Sequence, residues 1–254
     1  IKSALIAALG SELIGIYNKS AKLLRKLKLE TEDGWIHGEA PKNWNPKEYG
    51  AAFEIDILLG QKTGFFIDQR ENRDLLRRHS RGKKVLNVFS YTGGFSVTAL
   101  LGGALKVDSL DSSSRALELA HSNAEANGFD STTHGCIEAD AMEYLKAGVA
   151  GYDIVVLDPP AFAKSVSARH KAVQGYKRIN SRALESMKPG SLLFTFSCSQ
   201  AVDDRLFTHT IISAAIQARR EVQILHRLHQ PPDHPVSAFH PEGAYLKGLV
   251  IRVN

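Results

Sequence analysis

From Lys84 onward the chain alternates between short apolar runs and longer stretches of helical periodicity, and that alternation admits few architectures. The runs at 84–90, 105–110, 133–138, 152–157, 190–196, 221–228 and 244–252 read as strands, and the stretches 93–102, 113–127, 140–147, 171–187 and 203–219 as helices. Strands joined by helices lie parallel, because the helix carries the chain back to the edge from which the next strand starts. The last connection has no helical pattern: about fifteen Pro- and His-rich residues separate the final two runs, so this pair is expected to be an antiparallel hairpin. The expected fold class is α/β, a Rossmann-like, mostly parallel seven-stranded sheet ending in an antiparallel hairpin. A small α+β appendage precedes it, with the boundary between residues 1–80 and 81–254.

Within the appendage, Leu5, Leu9 and Leu13, then Leu23, Leu24 and Leu27, recur at helical spacing. The segment from Lys19 to Lys28 carries five positive charges and no acid, which suits either a solvated helix face or a stripe for nucleic acid. From Trp35 to Ile67 the pattern turns to alternation: residues 35–37, 52–57 and 64–67 read as short antiparallel strands. Asp68 then reads as the N-cap of a charged helix that leads into the first strand of the sheet.

Residues 85–96, VLNVFSYTGGFS, are strand, glycine turn and helix in succession. Such a turn lies at the carboxyl end of a strand, where helix N–H groups face outward and a missing Cβ lets a ligand approach the backbone. Neither the dinucleotide spacing Gly-x-Gly-x-x-Gly nor a phosphate-binding Gly-x-x-x-x-Gly-Lys occurs. Asp111 ends the second strand, where a fold of this kind grips a ribose through its hydroxyls. A nucleoside cofactor without phosphates, such as S-adenosylmethionine, fits this combination. A parallel sheet closed by one antiparallel strand is also the shape of a class I methyltransferase.

Four further places can carry chemistry. Asp140 follows the third strand and can cap a helix or accept from an adenine amino group. Asp158 opens DPPAF at the end of the fourth strand, where two prolines forbid both strand and helix and hold the turn rigid. Cys198, in TFSCS at the end of the fifth, is flanked by hydroxyls and followed by a helix; it is placed as a nucleophile, whereas Cys136, inside the third strand, reads as core. The loop 231–243 brings His234, His240 and Glu242 toward the same edge, as proton acceptors or only as turn formers. No zinc spacing occurs there, and the two cysteines lie far apart with neither a metal motif nor a disulfide framework, so no metal site is expected.

Composition narrows the setting: 43% hydrophobic and 23% charged residues exclude a disordered chain, and a net charge of +5 leans toward an anionic partner. The apolar runs are too short to span a membrane, and no leader peptide is visible. A cytoplasmic, reducing location is expected. Beginning at Ile1, the sequence reads as a trimmed or partial chain.

Taken together, NVFSYTGGF, the Asp111 strand end, DPPAF, TFSCS, DHP with PEGAYLKG, and QKTGFFIDQR upstream closely resemble the large-subunit ribosomal RNA cytosine-C5 methyltransferases, over nearly the whole chain. Sister guanine methyltransferases share the Asp-Pro-Pro turn and the hairpin but lack the SCS thiol. The resemblance implies S-adenosylmethionine as donor and a cytosine of 23S ribosomal RNA, free or partly assembled, as acceptor. Phe89, Tyr91 and Gly93 match the cofactor loop, Asp111 the ribose ligand, Asp140 the adenine ligand, and Gln69 a segment near the methionine moiety, and Asp158 is counted with them as cofactor-binding. Cys198 would add to the pyrimidine and Asp158 would hold the base. Many such enzymes carry a second cysteine beside the Asp-Pro turn to assist product release. Ala161 stands there in this chain, which leaves His234 or Glu242 to remove the C5 proton. Family members begin with a small RNA-binding PUA domain that these residues do not contain. The oligomeric state stays open, a homodimer included. An amino-directed nucleic-acid methyltransferase, a non-catalytic RNA-binding remnant and an NAD-dependent oxidoreductase remain as alternatives.

Overall fold

In the computed structural model, which describes residues 1–40, 44–163 and 165–254, the alternation from Lys84 onward is realised strand by strand and helix by helix. Two units are distinguishable, one of residues 1–47 with 52–66, the other of 48–51 with 67–254. Residues 67–80, read from the sequence as part of the appendage, thus belong to the larger unit.

The first unit departs from the expected pattern. Its leading segment is not a continuous helix but α1 (Lys2–Leu9), strand β1 (Gly15–Asn18) and α2 (Ala21–Lys26). Strand β2 (Gly34–Gly38) pairs antiparallel with β1. The strands are short and half-buried, so neither stamps a strong period on the sequence; Tyr17 and Trp35 meet across them edge to face, with centroids 5.2 Å apart. Two-residue strands follow, β3 (Lys47–Glu48) and β4 (Ala51–Ala52). The strands expected at 52–57 and 64–67 do not form beyond Ala52. Their alternation instead buries Phe53 and Phe65 against each other, centroids 4.7 Å apart, from irregular backbone.

The second unit contains α3 (Arg70–His79), β5 (Lys84–Val88), α4 (Gly94–Leu101), β6 (Lys106–Asp111), α5 (Ser114–Ala126), β7 (His134–Glu138), α6 (Ala141–Ala147), β8 (Ile154–Leu157), α7 (Arg169–Ser186), β9 (Leu192–Ser197), α8 (Asp204–Gln217), β10 (Val222–His229) and β11 (Lys247–Val253). The seven strands stand in the order β10-β11-β9-β8-β5-β6-β7, with β11 antiparallel to both of its neighbours. Alternate residues of each central strand enter opposite cores. Val85, Val107, Ile154 and Val156 pack with Leu76, Phe95, Leu100 and Ala124 from α3, α4 and α5. Leu86, Val88, Val155 and Leu157 pack with Leu145, Ile179, Leu184 and Ile211 from α6, α7 and α8.

Two local expectations fail. Asp68 is not a cap: it lies in a 3-10 turn (Ile67–Gln69), is buried, and accepts a hydrogen bond from Tyr245 Oη at 2.7 Å. Helix α3 has Gln69 as its N-cap residue, with no side-chain cap. Cys136 is not core but exposed, because β7 is the outermost strand on its side of the sheet.

Candidate active site

Topology fixes where a ligand can enter. From β5 the chain steps outward to β6 and β7, then returns to β8 on the other side of β5. Helix α4, leaving β5, packs on one face and α7, leaving β8, on the other. The carboxyl ends of β5 and β8 therefore open onto a crevice, the usual ligand position of a doubly wound sheet.

At the end of β5 the backbone coils tightly: Phe89, Tyr91 and Gly93 have φ of 60°, 47° and 77°, left-handed values that cost the two aromatic residues energy. Gly93 is required sterically as well, since a Cβ there would lie 2.9 Å from the Ala120 Cβ on α5. The turn is held from both sides. Asp111 Oδ2 accepts from the Tyr91 N–H at 3.0 Å and Oδ1 from the Ser113 N–H at 3.1 Å; Asn123 donates to the Thr92 carbonyl at 2.9 Å. Asp140 caps α6, accepting from the Glu143 N–H at 3.0 Å. One carboxylate oxygen makes that cap, and the other is left for a second donor.

These residues fit the nucleoside and amino-acid ends of S-adenosylmethionine. Carboxylates end the neighbouring parallel strands β6 and β7, and beside them the buried Ser90 Oγ has no hydrogen-bond partner among the described residues. A buried hydroxyl without a partner is costly unless a ligand completes it.

Strands β8 and β9 run side by side, with Leu157 opposite Thr195, so that Asp158 and Cys198 leave the sheet at adjacent ends. Gln69 Nε2 donates to Asp158 Oδ2 at 3.0 Å, and Asn72 Nδ2 holds the Gln69 Oε1 at 2.7 Å. The two motif turns are stapled together: the buried Ser199 Oγ donates to the Ala163 carbonyl at 2.8 Å, and Phe162 stacks on Tyr176 at 4.7 Å. Burial holds the Tyr176 phenol up at about 12, a neutral hydroxyl next to the thiol-bearing turn.

Lys247 went unassigned in the sequence. It is the first residue of β11, opposite Ser197, only 3% exposed, and its Nζ donates to the Ser199 carbonyl at 2.8 Å. Burial lowers its pKa, while Asp204, Cys198 and Asp203 act in the opposite sense. A lysine at the head of a mostly apolar strand was the available signal. Tyr245, two residues earlier, donates to Asp68; its phenol is raised by burial and by that bond. Gln230 fixes the start of the last strand by accepting from the Tyr245 and Leu246 N–H groups, both at 3.2 Å.

The two candidates in the loop between β10 and β11 lie in different surroundings. His234 Nδ1 is 3.0 Å from Asp233 Oδ1, Asp233 is bridged to Arg70 at 2.6 Å, and His234 lines a cleft of about 780 Å3 with Asn72 and Gln230. Glu242 is 73% exposed and faces His240 Nδ1 at 3.2 Å.

The family model of S-adenosylmethionine-dependent methyltransferases matches residues 17–252. The chain is 44% identical over 245 residues to ribosomal RNA large subunit methyltransferase I of Aeromonas salmonicida, covering 93% of this chain and 61% of the relative. Against the protein of the same name from Citrobacter koseri it is 41% identical over 259 residues, covering 99% and 65%. The chain thus spans somewhat less than two thirds of these relatives. Among solved structures, an S-adenosylmethionine-dependent methyltransferase from Streptococcus mutans superposes with a TM-score of 0.77 at 30% identity, covering 87% of this chain and 58% of that one. A methyltransferase complexed with SAH superposes equally well, with a TM-score of 0.77 at 30% identity over 87% of this chain and 59% of that one.

Proposed function

Because the chain belongs to the S-adenosylmethionine-dependent methyltransferase family, we propose that it methylates C5 of a cytosine in large-subunit ribosomal RNA through a covalent adduct to Cys198. The observation that carries this reading is the pairing of Cys198 with Asp158 at the ends of adjacent parallel strands, with their turns tied by Ser199. An amino-directed enzyme needs the carboxylate and has no use for the thiol.

The chemistry follows from the base. C5 of cytosine is a poor nucleophile until a thiolate adds to C6 and makes C4–C5 an enamine. When bound, S-adenosylmethionine supplies an electrophilic methyl group on a sulfonium. Cys198 forms the C6–S bond, assisted by the buried Lys247 ammonium, which favours the thiolate. Asp158, oriented by Gln69 and Asn72, accepts from the amino group and from N3 once N3 has taken a proton from solvent, neutralising charge as the adduct forms; N3 gives that proton back when the ring is restored. C5 then takes the methyl. A base removes H5, and the electrons of that C–H bond expel the Cys198 thiolate to restore the ring. His234 and Glu242 are the residues assigned to that proton. Asp111 and Asp140 would hold the ribose and adenine of the donor, Phe89, Tyr91 and Gly93 would form its cofactor loop, and Gln69 would stand near its methionine moiety.

The test is trapping. RNA in which cytosine carries fluorine at C5 takes the methyl but offers no proton, so wild-type protein should remain covalently joined to it and Cys198→Ser should not. Methylation of ordinary RNA without trapping of the fluorinated form would replace this mechanism by amino methylation.

A further inference from the structure

Away from the crevice, one imidazole nitrogen each of His121 and His134 and the Cys136 sulfur lie within 4.8 Å of one another. His121 comes from α5, and His134 and Cys136 from β7, where residues two apart share a face. We propose that these three side chains form a binding site for a divalent transition ion of borderline softness, zinc being the best match, that clamps α5 to the sheet's outer strand.

Each histidine is already prepared as a ligand. His134 is 2% exposed; its Nε2 lies 2.8 Å from Ser109 Oγ, and its Nδ1 is buried with no hydrogen-bond partner among the described residues. A buried ring nitrogen left bare is unfavourable unless something binds it. Ser109 Oγ is also 2.6 Å from Ser96 Oγ, which accepts from Asn87, so the hydroxyls can rotate for Ser109 Oγ to accept a hydrogen bond from Nε2–H, the tautomer that leaves a lone pair on Nδ1. His121 has the matching arrangement, with Nε2 3.4 Å from Glu125 Oε1. A hydroxyl or carboxylate behind the far nitrogen is how proteins orient metal-bound imidazoles.

A bound dication would deprotonate the Cys136 thiol and take up the neutral imidazoles through their lone pairs. Two nitrogens and one sulfur suit zinc, with a fourth position open to water. Tetrahedral bonds of the usual lengths put donor atoms roughly 3.3–3.8 Å apart, so the cluster must contract by about 1 Å. The half-exposed His121 side chain has room to make that movement. The site escaped the sequence because its ligands are contributed by a helix and a strand, with no motif spacing between them.

The test uses the whole chain, stripped with a chelator and titrated with Co2+, then Zn2+. One equivalent of Co2+ should give the intense visible bands of a tetrahedral ion together with a thiolate charge-transfer band, and Zn2+ should displace it and raise the melting temperature. Cys136→Ser should abolish the charge-transfer band, and His121→Ala should weaken binding at least tenfold. Cys198→Ser should leave both bands unchanged. Both cluster substitutions are at accessible positions, and the melting curve of each metal-free variant reports whether it is folded. Absence of a thiolate band in the wild type, or its survival in folded Cys136→Ser, would overturn the proposal.

Discussion

Lys247 shows how much one buried charge can organise. An ammonium taken out of water is costly unless a partner is present, and here the partners are the Ser199 carbonyl and the thiol-bearing turn. Replacing Lys247 by Met removes the cation from beside Cys198 while keeping the volume. In a Cys136→Ser background, alkylation of Cys198 at neutral pH should slow by about tenfold, the order expected when a neighbouring cation is removed, and adduct formation with fluorinated RNA should slow with it. An unchanged alkylation rate would reduce Lys247 to a structural tie. The residue scale is also where the sequence was least legible. Cys198 and Asp158 announce themselves by position at strand ends, but the roles of Lys247, Tyr245 and Asp68 depend on partners 48 and 177 residues away, in the cases of Ser199 and of the Tyr245–Asp68 pair. No local pattern carries such a pairing.

At the scale of elements the larger unit was legible to within a few residues, because its central strands, buried on both faces, read as apolar runs and the helices between them keep one apolar stripe. The smaller unit was not: β1 and β2 have four and five residues and no buried position, so helical spacing in the flanking leucines dominated the pattern. Two elements give direct tests. In the turn from β5 to α4, Gly93→Ala must place a Cβ against Ala120 at a left-handed φ. The left-handed conformation alone costs about 1–2 kcal/mol, so the melting temperature should fall by several degrees and donor binding should be lost with the turn. In α3, burial alone would raise the Asp74 carboxyl; hydrogen bonds and charge from Arg77 and Arg78 outweigh it and hold the pKa below its ordinary value. A depressed folded value means that stability from this group is complete above its unfolded pKa of 3.8 and is lost as pH falls through the folded value. Asp74→Asn should therefore destabilise the protein at pH 7, by roughly 1 kcal/mol, and progressively less in strong acid, as denaturant unfolding at the two pH values would show.

For the whole molecule, a net charge of +5 bears on the proposed RNA partner. Of the five basic residues between Lys19 and Lys28, Lys19 is committed, its Nζ donating to the carbonyls of Ile57 and Gly60 at 2.6 Å. Lys22, Arg25, Lys26 and Lys28 are exposed on and after α2. If they contact phosphates, replacing Lys22, Arg25 and Lys26 by Gln should flatten the slope of log affinity against log salt by up to about 0.7 for each phosphate no longer neutralised, with no change in sequence preference. An unaltered slope would return the run to a solvated helix face. The strand order has a consequence of another kind, in time. Strand β10 is made before β11 yet lies outside it, so β10 has no neighbour in the sheet until β11 has been inserted against β9. The same late strand carries Lys247 to the thiol-bearing turn. A polypeptide emerging from its ribosome amino end first can assemble the donor crevice early, but its reactive thiol stays unfinished until residue 253 is clear of the exit tunnel. On the proposed mechanism, a nascent chain therefore lacks the ammonium that favours the Cys198 thiolate until its last strand is in place.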